Sequence, residues 1–290
     1  MTALTHEFTA SLSAPPERVF AALTDETELT QWFAESADIE LRAGGPFRFW
    51  GRNTWCAPAR WESKQTVLRV EPPKLISFSW PVNGVASEVT LELTASSEGT
   101  ELKGRHHFPE APAIDRAPEL IDDMWRNSLA NLRAHLAGGE GVCRPDYSEA
   151  VPRIRHTISI DAPRFKVFHA LIDPQALEKW IATKATVEPH DGGRYSYGWK
   201  YDVKGREVAG GPTKILEVVE NSKLVTDWPD WRGDTSRPAQ RVTWTLEAIG
   251  DQTRVTVIHD RFERPADLSD YPQGWLHFLS LLKKSVESAA

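Results

Sequence analysis

Residues 9–45 recur without a gap as residues 157–193, and sixteen of the aligned positions are identical. They include Ala14-Pro15 with Ala162-Pro163, Val19-Phe20 with Val167-Phe168, Ala22-Leu23 with Ala170-Leu171, and Gly44-Gly45 with Gly192-Gly193. Asp25 meets Asp173, Leu29 meets Leu177 and Trp32 meets Trp180. Beyond this block small gaps enter, as surface loops allow. Val70-Glu71 and Lys74-Leu75 still match Val219-Glu220 and Lys223-Leu224, and Trp80-Pro81 matches Trp228-Pro229. Trp125, Leu129, Leu132 and Leu136 match Trp275, Leu279, Leu282 and Val286. A chain built this way must fold as two copies of one unit. Glycine, proline and polar residues dominate 138–152, where periodicity lapses. The expected division is therefore a first copy over 1–138, a linker over 139–151 and a second copy over 152–290.

Within each copy the patterning gives an element order. Phe8, Ala10 and Leu12, and Ile154, His156, Ile158 and Ile160, alternate with period two and read as strands. Ala-Pro then opens a helix, since proline at a first turn gives up no bonded N–H. Asp25 and Asp173 are placed to cap second short helices ending at Trp32 and Trp180. After Gly-Gly come alternating runs separated by turns, and 116–137 and 268–288 read as long amphipathic helices. The order β-α-α-β(six)-α is no βαβα alternation, so the expected class is α+β. Each domain is a helix grip, a curved antiparallel sheet wrapped around a long C-terminal helix, with a cavity between the two.

Composition narrows the partners. The net charge is −7 and the basic residues are dispersed, which argues against nucleic acid as a partner. The start of the chain lacks a basic region followed by an apolar run, and no stretch is apolar enough to span a bilayer, so a cytoplasmic protein without membrane insertion is expected. Cys56 and Cys143 have neither metal nor redox spacing, His106-His107 lacks a carboxylate cluster, and no phosphate loop or Gly-x-Ser-x-Gly elbow occurs. No metal, cofactor or catalytic residue is expected. Twelve tryptophans are unusual for this length and fit either a large core or an aromatic-lined pocket.

The Ala-Pro-x3-Val-Phe-x-Ala-Leu run, the Leu-x2-Trp that follows, Gly-Gly, the Val-Glu-x2-Lys-Leu…Trp-Pro hairpin and the closing helix with Trp125 or Trp275 resemble the START-like superfamily, which includes Bet v 1-type ligand carriers. More narrowly, they resemble the homology domain of the activator of the heat-shock protein 90 ATPase. The resemblance covers nearly all of both halves, and its motifs are packing patterns. It implies an apolar cavity in each copy and a small hydrophobic ligand (a lipid, polyketide or aromatic metabolite). A co-chaperone-like interaction with heat-shock protein 90, or a cyclase- or hydrolase-type activity, would be the alternatives. The eukaryotic activator makes its main chaperone contact through a separate N-terminal domain, whereas here a second copy fills the chain.

Strand parity supplies candidate residues. Leu102, Gly104 and His106 share one face of a strand, as do Val255, Val257 and His259, so both histidines point inward. Either could anchor a ligand carbonyl or act as a general base. Phe47 and Phe49 occupy the places of Tyr195 and Tyr197, which would give the second pocket hydroxyls that the first lacks. Trp32, Trp80 and Trp125, with Trp180, Trp228 and Trp275, complete the candidate ligand-binding set. Trp244 stands where the first copy has Leu91 and is expected to fill part of the second cavity. Duplication further suggests an intrachain pseudo-dimer.

Overall fold

The computed structural model describes residues 2–56, 58–203, 205–268 and 270–288. In the first copy the strands and helices run β1 (Leu4–Leu12), α1 (Pro16–Thr24), α2 (Glu26–Trp32), β2 (Ser36–Ile39), β3 (Phe47–Trp50), β4 (Val67–Glu71), β5 (Leu75–Ser79), β6 (Glu88–Ser96), β7 (Gly99–Phe108) and α3 (Ala117–Leu136). The second copy opens with β8 (Ile154–Ile160), α4 (Arg164–Ile172), α5 (Pro174–Leu177), β9 (Thr186–Val187) and β10 (Tyr195–Ser196). It continues through β11 (Trp199–Val203), β12 (Arg206–Gly210), β13 (Ile215–Val219), β14 (Lys223–Trp228), β15 (Gln240–Ile249), β16 (Gln252–Asp260) and α6 (Tyr271–Glu287). The chain divides into two compact units, Met1–Ala150 with Arg264–Gln273, and Val151–Glu263 with Gly274–Ala290.

Both copies carry the same antiparallel sheet, in the orders β1-β7-β6-β5-β4 and β8-β16-β15-β14-β13. The strand that opens each copy pairs with its last strand: Leu4 meets Phe108 and Leu12 meets Thr100 in one, Ile154 meets His259 and Ile160 meets Thr253 in the other. This closes the order without parallel pairing, as an α+β layer requires. β2 and β3 form a separate hairpin, linked back to the sheet by a bridge between Pro46 and Thr66. The second copy adds to the expected six strands. Its β11–β12 hairpin, turned at Gly205 whose N–H bonds the Asp202 carboxylate at 2.9 Å, stands where the first copy has a loop with one 3₁₀ turn.

The repeated residues hold the copies together in the same way. Asp25 ends α1 and caps α2 through the Glu28 N–H at 3.0 Å; Asp173 does the same for α5 through Ala176 at 2.8 Å. The expected helix before Trp180 is shorter than in the first copy, ending at Leu177. The Trp32 indole nevertheless donates to the Ala22 carbonyl at 2.9 Å, and Trp180 to Ala170 at 3.0 Å, so each ring pins its short helix to the preceding one. Gly44 and Gly192 adopt left-handed backbone, at φ 76° and 81°, while a Cβ at Gly45 or Gly193 would lie within 2.5 and 2.1 Å of a carbonyl oxygen. The Gly-Gly pair suits both halves because the turn needs left-handed backbone at its first position and leaves no room for a side chain at its second.

Candidate functional site

The sequence-derived candidates are all buried, and within each copy most of them are in ring contact with one another. In the first copy Trp80 stacks on His106 at 5.3 Å, Phe49 meets Trp80 at 5.0 Å, and Phe47 meets Phe78 at 4.5 Å. In the second, Tyr197 meets Trp228 at 6.2 Å, Trp228 meets Trp275 at 5.2 Å, and Trp180 meets Trp244 at 6.0 Å. Each of the twelve candidates is no more than 4% exposed. The Tyr195 hydroxyl donates to the Leu171 carbonyl at 2.6 Å and also hydrogen-bonds Tyr197, so these phenols are engaged with the protein itself. Burial raises both their pKa values.

The two histidines sit in matching networks. Trp125 Nε1 lies 3.2 Å from His106 Nδ1, and Trp275 Nε1 lies 3.1 Å from His259 Nδ1. An indole N–H can only donate, so Nδ1 accepts and the ring proton resides on Nε2. That proton goes to Ser87 Oγ at 2.8 Å in the first copy and to Gln240 Oε1 at 2.9 Å in the second. Ser87 in turn donates to the Trp80 carbonyl. Burial lowers both histidines to about 3, with His6 and His107 adding repulsion at His106. Each is thus a neutral imidazole whose two nitrogens are already paired, an arrangement that offers a substrate neither a base nor a donor.

The copies differ in how they fill the space under the long helix. In the first, the Phe8 ring lies over Gly104, where a Cβ would approach it to 2.1 Å, and stacks on Trp125 at 4.5 Å. In the second, Val257 replaces that glycine, its strand partner is His156, and Trp244 supplies the bulk by meeting Trp275 at 5.5 Å. Nearer the hairpin, Trp199 stacks on Phe278 at 5.4 Å. Counted from the repeated tryptophans of α3 and α6, the residue matching Phe278 is Ser128.

Ser128 lines a small, largely enclosed void of about 10 Å³ in the first copy, close to the size of one water. Trp32, Phe33, Asn53, Trp55, Met124, Asn127, Ser128, Asn131, Pro145 and Tyr147 line it. It lies among α2, the loop after β3 and α3. Of the sequence-derived candidates, Trp32 alone reaches it. Asn127 Oδ1, Trp55 Nε1 and Thr54 Oγ1 are buried without a hydrogen-bond partner among the described residues. Asn127 is 2% exposed and Trp55 3%, so each holds an unmet bond away from water, a cost normally avoided. Sequence reading missed Trp55, Asn127 and Asn131. The available signal was the pair of asparagines on the buried stripe of an amphipathic helix, where apolar residues are the rule.

Among the described residues no helix is long and apolar enough to cross a membrane, and no group of three or more histidine, cysteine or acidic side chains is arranged to hold a metal ion.

A sheet gripping a C-terminal helix, built twice from one repeated sequence, defines a tandem helix-grip protein of the α+β class. The chain belongs to the family described as activator of Hsp90 ATPase homolog 1-like protein, which it matches over residues 13–137 and 161–287. Among solved structures, DynU16, from the dynemicin biosynthetic locus, aligns over 97% of this chain and 98% of its own at 18% identity and a TM-score of 0.42. CalU16 from Micromonospora echinospora aligns over 47% of this chain and 76% of its own, at 26% identity and a TM-score of 0.36. Aha1 from Colwellia psychrerythraea, solved as a dimer in solution, aligns over 47% and 96%, at 22% identity and a TM-score of 0.36. No curated protein matches the chain.

Proposed function

We propose that this protein binds a small, mainly apolar molecule bearing at least one hydrogen-bonding group, and that the first copy receives it between α3 and the α2–β3 end of the grip. The observation that carries the reading is the enclosed void with Asn127 Oδ1 and Trp55 Nε1 unpaired at its wall. Aromatic walls with a few convergent polar atoms are what a site for such a ligand requires. The acceptor at Asn127 suits a ligand hydroxyl, and the indole N–H at Trp55 suits a ligand oxygen. The void is too small for an organic molecule as it stands, so binding demands that some wall residue move. In the second copy Trp199 stacks on Phe278 and Trp244 meets Trp275, large rings where the first copy has smaller residues, which favours the first copy as the receptor.

Quenching of tryptophan fluorescence by 1-naphthol tests this reading. Saturable quenching is expected, and Asn127→Leu should weaken it about tenfold, the cost of one buried hydrogen bond. Absence of saturable binding to 1-naphthol, both in the parent protein and in variants with a loosened wall, rules the reading out.

A further inference from the structure

The wall most able to move is the segment that follows α3. Past Leu136 the chain reverses through Gly138, Gly139 and Gly141, all in left-handed backbone at φ 114°, 89° and 85°. Only glycine takes such a succession without strain, and the reversal brings residues 142–147 back across the first copy. That segment forms neither helix nor strand.

It is held by a handful of hydrogen bonds, with Val142 and Tyr147 packed against the core of the first copy. The Asn131 amide bonds the Cys143 backbone in both directions, at 3.0 Å to its carbonyl and 2.7 Å from its N–H. Asn53 Nδ2 donates to the Pro145 carbonyl at 3.1 Å, and the Tyr147 N–H donates to the Arg52 carbonyl at 2.7 Å. Arg144 donates to the Thr30 and Ala34 carbonyls at 2.5 and 2.8 Å, covering the C-terminal end of α2. Bonds of this kind exchange with water at small net cost, unlike the packed aromatic interior behind them. Pro145 and Tyr147 alone turn inward onto the void. Burial, with Asp123 and Cys56 nearby, raises the Tyr147 phenol.

We propose that residues 142–147 are a strap that closes the ligand site of the first copy, with the Tyr147 ring holding part of the ligand's place, and that a ligand enters by lifting this strap. The proposal rests on the reading that the site takes a ligand, and it adds how access is controlled. A site that is shut most of the time binds more weakly in proportion to its open fraction, so loosening the strap tightens apparent binding. The strap's hydrogen bonds set that fraction, and Arg144 contributes to it without touching the void.

Cys143 rides on the strap and reports its position. Burial raises its thiol to about 11, so it reacts slowly while the strap is down. In a Cys56→Ser background Cys143 is the sole cysteine, because the chain has two. Its reaction with dithiobis(nitrobenzoate) is followed in the full chain, with and without 1-naphthol. Saturating 1-naphthol is expected to speed labelling at least about fivefold. Arg144→Ala should raise the ligand-free rate and tighten 1-naphthol binding several-fold. Tyr147→Ala, checked by its melting curve, should do the same if Arg144→Ala proves unstable. Saturable binding with a labelling rate that is unchanged or slower overturns the strap and leaves the binding reading intact. No binding in the parent chain or in either loosened variant overturns both.

Discussion

His106 and His259 show how one buried polar residue can be tied down completely. Each is 0% exposed, accepts from a tryptophan N–H through Nδ1 and donates through Nε2. Their folded pKa values, lowered to about 3 chiefly by burial, lie below the unfolded value of about 6.5. The unfolded chain therefore takes up protons first as pH falls. The stability each neutral histidine contributes is complete above pH 6.5 and is lost progressively as pH falls towards 3. The expected slope is about 1.4 kcal/mol per pH unit for each histidine. Urea midpoints between pH 6.5 and 4 measure it. His106→Leu should remove its share of that slope and cost about 1–3 kcal/mol at neutral pH, since it strands the Trp125 N–H. An undiminished slope in that variant would mean the ring is not held neutral.

At the scale of elements, the copies reach the same packing by different exchanges. Phe8 over Gly104 in the first copy corresponds to His156 beside Val257, with Trp244 in place of Leu91, in the second. A side chain at position 104 collides with the Phe8 ring, so Gly104→Val should cost about 1–3 kcal/mol by overpacking. Adding Phe8→His should recover part of that loss. A double-mutant cycle on chemical denaturation should give a coupling above about 0.5 kcal/mol, and strict additivity would show that the two positions do not compensate. The strand–helix order, the caps at Asp25 and Asp173 and the inward histidines were all legible in the sequence, because periodicity and capping act over a few residues. Asn127, Trp55 and Tyr147 were not. Their meeting depends on how α3, the loop after β3 and the segment after α3 converge, and no local spacing encodes that.

For the whole molecule, duplication has left two grips with unequal interiors. Trp199 and Phe278 stack in the second, while Ser128, Asn127 and Asn131 line a polar gap in the first. Calorimetry should accordingly find one 1-naphthol bound per chain, weakened by Asn127→Leu and unaffected by Trp199→Phe. Two equivalent sites would mean that the second interior opens as well. The sequence by itself determined that there are two copies, the class to which each belongs, and which strand faces are apolar. These follow from repetition and from the periods of side-chain direction. Only the tertiary structure decided which polar atoms stand unpaired beside the void of the first copy and what lies across them. Cavity and cover arise where distant segments fail to fill space completely, and that shortfall is a sum over contacts that no single stretch of chain contains.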